Sequence, residues 1–330
     1  MEKNYDIDFE NFKSLINFQV KEGVQGILAV GTTGECATLN WDEHFRVIEE
    51  IHEQVNDRCL TIAGTGSNHT QDAITATRHV TDLGIDTVLL VDPYYNGPSS
   101  LEIRKEYIEP IAREFSEIQL IPYVIPSRTG TQLLPQDLAI LHHEYSNMRA
   151  VKEATGNLEN MKLTRKLCGA DFEILSGDDN LTYQMMMSPE IKADGVISVV
   201  SNIVPRATQN MVQCILDGNL SKAFELSEAL APLFELVTIN VKESTPYGSI
   251  DCKIRNPLPF KTLMNVLGMP SGPCRQPLGK LTRRGMKILL NNAREVYDTH
   301  PHILEPIEDF FDVDLSERLY KKNWSALHYD

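Results

Sequence analysis

Seven short apolar runs limit what this chain can fold into. They lie at 25–30 (QGILAV), 60–66 (LTIAGTG), 86–95 (DTVLLVDPYY), 119–126 (QLIPYVIP), 149–156 (RAVKEATG), 173–179 (EILSGDD) and 194–202 (DGVISVVSN). The apolar residues are continuous rather than alternating, as in strands buried on both faces of a parallel sheet. Amphipathic segments separate them. In 42–55 the apolar residues Phe45, Val47, Ile48, Ile51 and Val55 follow a helical period, and Asn40 with Glu43 three residues on forms a capping-box pattern. Further helical patterns occupy 8–23, 70–84, 102–115, 135–145 and 158–168. Strand and helix alternating every ~25 to 35 residues means parallel strands joined by crossover helices.

Two architectures share that rhythm, the doubly wound open sheet and the (β/α)8 barrel. Gly64 and Gly66 supply only the first half of a dinucleotide-binding GxGxxG. Polar residues instead gather at the carboxyl end of almost every run, from Thr32, Thr33 and Glu35 round to Ser201 and Asn202. A barrel builds its site on that face. The expected fold is therefore α/β, a (β/α)8 TIM barrel followed by a helical C-terminal domain. Only seven strands are visible, the first being absent from this chain. The expected boundaries are 1–204 for the barrel, 205–299 for the helical domain with an inserted loop near 239–259, and 300–330 for a C-terminal extension. That extension reads as a solvated tail, or as one that packs on a neighbouring subunit through Phe310, Phe311 and Trp324.

Charge narrows the partners. Lys and Arg total 31 against 46 Asp and Glu, a formal net charge of −15, which disfavours nucleic acid and anionic membranes. A local Arg or Lys can still hold a small anion. The N-terminus MEKNYDIDFENF has neither a basic region nor an apolar run, and no run approaches the ~20 residues of a membrane span. The six cysteines show neither CxxC nor a histidine pair at ligand spacing, so reduced thiols, no metal and a cytoplasmic location are expected.

The 150–157 stretch, AVKEATGN, carries the most pointed chemistry. Lys152 lies near the end of a strand among Ala150, Val151 and Ala154. An amine desolvated there has a lowered pKa and, when neutral, attacks ketones to form a Schiff base. The plainer alternative is a lysine paired with Glu153 or a neighbouring carboxylate. The glycine-framed turn GTTGE (31–35) offers hydroxyls and free N–H groups to a carboxylate, or is a simple tight turn. In 123–130 (YVIPSRTG), Arg128 has the planar fork that suits a carboxylate and Tyr123 can relay protons. Their plainer roles are a surface ion pair and a packed ring. Together these groups suit a keto acid.

GTTGE, AGTG (63–66), DPYYN (92–96), YVIPSRTG, VKEATGN (151–157), LSGDD (175–179) and GVISVVSN (195–202), in this order, resemble the dihydrodipicolinate synthase (4-hydroxy-tetrahydrodipicolinate synthase) family of pyruvate-dependent class I aldolases. The likeness covers roughly residues 8 to 235. It implies that Lys152 captures pyruvate as an imine, with Tyr123, Thr32 and Tyr95 as the proton relay, Tyr95 reaching in from a neighbouring subunit. It implies further that Thr33 binds the pyruvate carboxylate, that Arg128 clamps the carboxylate of L-aspartate-4-semialdehyde, and that Gly177 and Ile197 line the pocket. No cofactor is implied beyond the covalent imine. The implied pathway is lysine and diaminopimelate biosynthesis, the implied assembly a homotetramer built as a dimer of dimers. L-Lysine would be the feedback inhibitor, bound at an interface by Cys36, Ala37, Trp41, His44, Asn68, Asp72 and Tyr94, with Asp72 in place of the usual glutamate. Two rivals remain at this stage: an N-acetylneuraminate or keto-deoxy-sugar-acid lyase, and a catalytically silent barrel that binds a keto acid or lysine. The chain departs from the family pattern in the absent first strand, which points to a late start in the gene model, and in 239–259 and 300–330.

Overall fold

The computed structural model describes residues 1–2 and 4–329, which form two compact units. One unit comprises 26–31 and 41–198, the other 1–25, 32–40 and 199 to the described C-terminal end.

The first unit is built on seven parallel strands in sequence order: β1 Gly26–Ala29, β2 Leu60–Gly64, β3 Thr87–Val91, β4 Gln119–Val124, β5 Ala150–Glu153, β6 Glu173–Ser176 and β7 Gly195–Val196. This is the TIM-barrel order. Among the described residues no strand precedes β1, so the count of seven read from the sequence holds, and β1 and β7 are sheet edges. Helices fill the intervals as their periodicity requires. Trp41–Val55 buries His44, Val47, Ile48, Ile51 and Val55 along one stripe.

One interval departs from expectation. The helix expected over 102–115 starts at Ser100 under a Ser99/Glu102 capping box, widens into a π-helical stretch at Ile103–Ile108, and resumes as Glu109–Glu114. Pro110 is the cause. It has no N–H to donate, and its ring would strike the carbonyl four residues earlier, so the preceding turn opens to a wider register. Arg104, held in that turn, pairs with Glu109 at 2.9 Å and with Asp137 at 2.7 Å.

The second unit is mostly helical. Two expectations fail in it. Residues 239–259, expected as an inserted loop, include an antiparallel hairpin, β8 Thr238–Thr245 with β9 Gly248–Arg255, and then the start of an apolar helix, Leu258–Leu267. The 300–330 segment is not a solvated tail. It forms the short helices Glu305–Phe311 and Leu315–Tyr320, which bury Leu304, Ile307, Leu315 and Leu319. Phe310 and Phe311 pack within their own chain, with centroids 5.3 and 5.2 Å from the fully buried Phe18 of the helix Phe9–Lys21. Trp324 lies under the Arg318 guanidinium. The extension thus covers an aromatic side chain that would otherwise face water.

That packing is testable. Phe18→Ala should lower stability by about 3–5 kcal/mol, the usual result of emptying a buried aromatic site. A chemical-denaturation midpoint within error of the parent would show that the 310–311 cover is not part of the core.

Candidate active site

The interior of the first unit is set by strand alternation. Residues 121, 123 and 125 face the same side, as do 150, 152 and 154. Ile121, Tyr123, Ile125, Ala150 and Ala154 belong to one buried apolar cluster with Ile62 and Leu89, against which Leu28, Val91 and Ile197 also pack. Lys152 is therefore aimed at the barrel interior. Across neighbouring strands, Val91, Tyr123, Lys152, Leu175 and Gly195 stand in register. Lys152 is buried, and its Nζ lies 4.3 Å from the centroid of the Tyr123 ring.

Burial has an electrostatic consequence. Desolvation lowers the Lys152 ammonium from its ordinary 10.5 to about 8. Asp179 and then Asp178 oppose the fall, and Arg128 reinforces it. Asp178 is itself raised, by burial first and by Asp179 second. Ser198 donates its hydroxyl proton to Asp179. Glu153 faces the other side of β5. It accepts from the Thr155 N–H at 2.8 Å and the Asn160 side-chain amide at 3.0 Å, and so is not the lysine's partner. Pairing of Lys152 with Glu153 is thereby set aside.

Gly177 occupies a position no larger residue could take. A Cβ there would lie 2.8 Å from that of Ala154 and 3.2 Å from Cε of Lys152. Arg128 is exposed in a short helical turn, Pro126–Thr129, that Gly130 ends in the left-handed conformation. Tyr95 is 90 % exposed and held at φ +82°, a left-handed backbone that a tyrosine seldom adopts. Just ahead of it Asp92 is almost fully buried and accepts the Leu133 N–H at 3.0 Å, while its Oδ1 has no partner among the described residues. Burial pushes that carboxyl up to about 8, so it is largely protonated at neutral pH.

Of the residues expected around lysine, five belong to this unit. The Trp41 and His44 rings lie 4.9 Å apart in a tilted contact, and His44 Nε2 lies 2.8 Å from the Gly64 carbonyl. Burial lowers the His44 pKa. Asp72 pairs with His69 at 3.0 Å, Asn68 lies beside Ser67, and Tyr94 is partly exposed.

The remaining expected residues, Thr32, Thr33, Cys36 and Ala37, belong to the second unit. There the 32–38 segment is two short 3₁₀ turns with Glu35 at φ +60° between them. Distant residues that local sequence did not suggest hold it. Asn256 donates its side-chain amide to Thr33 Oγ1 at 2.9 Å, which leaves the Thr33 hydroxyl proton free to donate elsewhere. Glu35, buried, pairs with Lys261 and accepts the Arg275 N–H at 2.9 Å. Arg275 also reaches the Thr38 carbonyl at 3.2 Å.

Parallel strands in barrel order, with polar groups at their carboxyl ends and a desolvated lysine among them, define a TIM-barrel protein equipped for amine chemistry. The chain belongs to the Dihydrodipicolinate synthetase family, whose model matches residues 1–293. It is 38% identical over 294 residues to the 4-hydroxy-tetrahydrodipicolinate synthase of Methanocaldococcus jannaschii, covering 89% of this chain and 94% of that one. Among solved structures it is similar to the chloride-inhibited dihydrodipicolinate synthase of Acinetobacter baumannii complexed with pyruvate (32% identity, TM-score 0.80, 90% and 95% coverage). It is also similar to the enzyme of Cyanidioschyzon merolae with lysine bound (32% identity, TM-score 0.79, 88% and 93% coverage). No helix among the described residues is long and apolar enough to cross a membrane.

The depressed amine predicts a pH signature. A cation whose folded pKa is lowered destabilises the fold wherever the amine is protonated in both states, here below about 8, and that cost vanishes as pH approaches 10.5. Lys152→Met should therefore stabilise the protein at pH 7, by on the order of 3 kcal/mol, with the gain shrinking above pH 8. A gain that is constant up to pH 10.5, or no gain at pH 7, would contradict a desolvated lysine.

Proposed function

We propose that this protein is a 4-hydroxy-tetrahydrodipicolinate synthase, a lyase that condenses pyruvate with L-aspartate-4-semialdehyde in lysine and diaminopimelate biosynthesis. The observation that carries the reading is the buried Lys152 amine, lowered to about 8 beside the Tyr123 ring.

The neutral Lys152 amine attacks the pyruvate C2 carbonyl, and loss of water gives an imine. The imine withdraws electrons from C3, which loses a proton to form an enamine. The enamine carbon attacks the semialdehyde carbonyl and makes the new carbon–carbon bond. The semialdehyde amine then adds to C2, closes the ring and releases Lys152. The protonated imine is itself the electron sink, so these steps call for no metal or organic cofactor.

Tyr123, Thr32 and Tyr95 relay protons in this reading, Thr33 holds the pyruvate carboxylate, and Arg128 clamps the semialdehyde carboxylate. Gly177 and Ile197 line the pocket. Support for Tyr95 is its exposure and strained backbone, which suit a ring placed to reach a neighbouring subunit, and with it a homotetramer formed as a dimer of dimers. Arg128 favours this acceptor over a neutral sugar aldehyde. For lysine as feedback inhibitor, support comes from the adjoining Trp41 and His44 rings and the Asp72 carboxylate, with Cys36, Ala37, Asn68 and Tyr94 completing the set.

Borohydride reduction in the presence of pyruvate, followed by peptide mapping, tests the central step. A reduced pyruvyl adduct on Lys152 is expected, with none in Lys152→Arg. Tyr123→Phe should cut kcat by about 10²- to 10⁴-fold. A folded protein that takes up no adduct would instead be a silent keto-acid binder. Adduct without turnover of the semialdehyde would redirect the search to other aldehydes.

Inhibition is tested separately. Millimolar L-lysine should slow the condensation, and Trp41→Ala should relieve that inhibition while leaving imine trapping intact. Rates indifferent to lysine would remove the regulatory reading alone.

A further inference from the structure

A cavity of about 450 Å³ lies within the helical unit, between the helix Arg283–Thr299 and the chain's last described residues. Arg283, Lys287 and Arg294 project into it at i, i+4 and i+11 of that helix. Lys322, Trp324 and His328 form the opposite wall. Among the described residues none of the lining side chains is acidic, in a chain whose formal charge is −15. Arg294 donates to the Leu319 carbonyl at 2.9 and 2.6 Å and lies over the Tyr320 ring, whereas Arg283, Lys287 and Lys322 make no ion pair among the described residues.

This arrangement works against the helix that carries it. Arg283 is the first residue of the helix, where the dipole favours anions, and like charges at i and i+4 repel. A multivalent anion in the cavity would reverse both penalties. The opposite wall is fixed in place. Leu281 and the tail exchange backbone hydrogen bonds, Leu281 N–H to Leu327 O at 3.3 Å and Tyr329 N–H to Leu281 O at 2.8 Å. The Trp324 indole N–H donates to the Arg318 carbonyl at 3.0 Å, and the Arg318 guanidinium caps the ring while donating to the carbonyls of Asn265 and Val266. The cationic side chains span roughly 16 Å of helix at 1.5 Å per residue, more than a single monoanion can bridge. The family match ends at residue 293, ahead of the wall formed by 322–328.

We infer that the cavity binds a small polyanion, a molecule carrying several phosphate or carboxylate groups. Isothermal titration calorimetry on the full chain tests this with pyrophosphate, ATP and citrate as probes. Saturable binding of at least one probe, at one site per chain, is expected. It should weaken about tenfold in Lys287→Ala and in Arg283→Ala, each of which removes one charged hydrogen-bond donor, and it should weaken further with added NaCl. Preference for pyrophosphate or ATP assigns phosphate, and preference for citrate assigns carboxylate. Both substituted side chains are exposed, so the variants should keep the parent melting temperature. No saturable binding of any probe, or affinities unchanged in both variants, would overturn the inference. None of these residues is assigned to the condensation, so imine trapping on Lys152 stands or falls separately.

Discussion

The structure turns on the withdrawal of one amine from water. Lys152 follows Val151 in a strand with no exposed residue, and alternation commits it to the same face as Ala150 and Ala154. Tyr123 and Leu175 stand in register beside it on β4 and β6, and Lys152 is buried between them. Gly177 must lack a side chain because a Cβ there would strike that of Ala154 and press on the Glu153 carbonyl and the lysine's own Cε. Much of the sequence around the strand ends makes sense as accommodation of that one group.

The turn that follows β1 is held by a different principle. Its residues are small and its backbone is unusual, so local preference does little to fix it. A buried Glu35 carboxylate fixes it instead, neutralised by Lys261 and hydrogen-bonded by the Arg275 backbone, while Asn256 orients the Thr33 hydroxyl. Removing one partner of such a pair leaves the other charge buried and uncompensated, which costs more than the pair contributes. The region after the barrel strands is thus part of how the turn keeps its shape.

Most of the barrel was legible in the sequence because most strand residues are buried or half-buried, giving continuous apolar runs that are hard to misread. Lys152 was legible as an amine among apolar neighbours near a strand end, but the face it takes was not. The hairpin 238–255 was not legible, because most of its side chains meet water and few apolar residues mark its alternation. Its Pro246–Tyr247 turn was a local signal, but one that loops share. The helices after residue 300 run six or seven residues, too short for a period to show among acidic neighbours. Asn256, Lys261 and Arg275 lie more than 200 positions from the turn they hold, a separation no local pattern spans. Asp92 was visible only as part of a strand-end motif, and its protonation depends on burial that tertiary packing supplies.

The balance of forces on Lys152 suits an amine that must play two parts. As a nucleophile it has to be neutral, and desolvation shifts it that way, leaving about a tenth uncharged at pH 7. The proposed imine, by contrast, works as an electron sink only when it carries positive charge. A wholly apolar pocket would favour the first state and penalise the second. Asp179 and Asp178 provide the opposing field and favour the cation. Their own burial raises Asp178, so that field weakens if the site takes up protons. The adjacent pair of carboxylates, rather than the lysine alone, therefore sets how far the amine can be depressed while its charged product stays accessible.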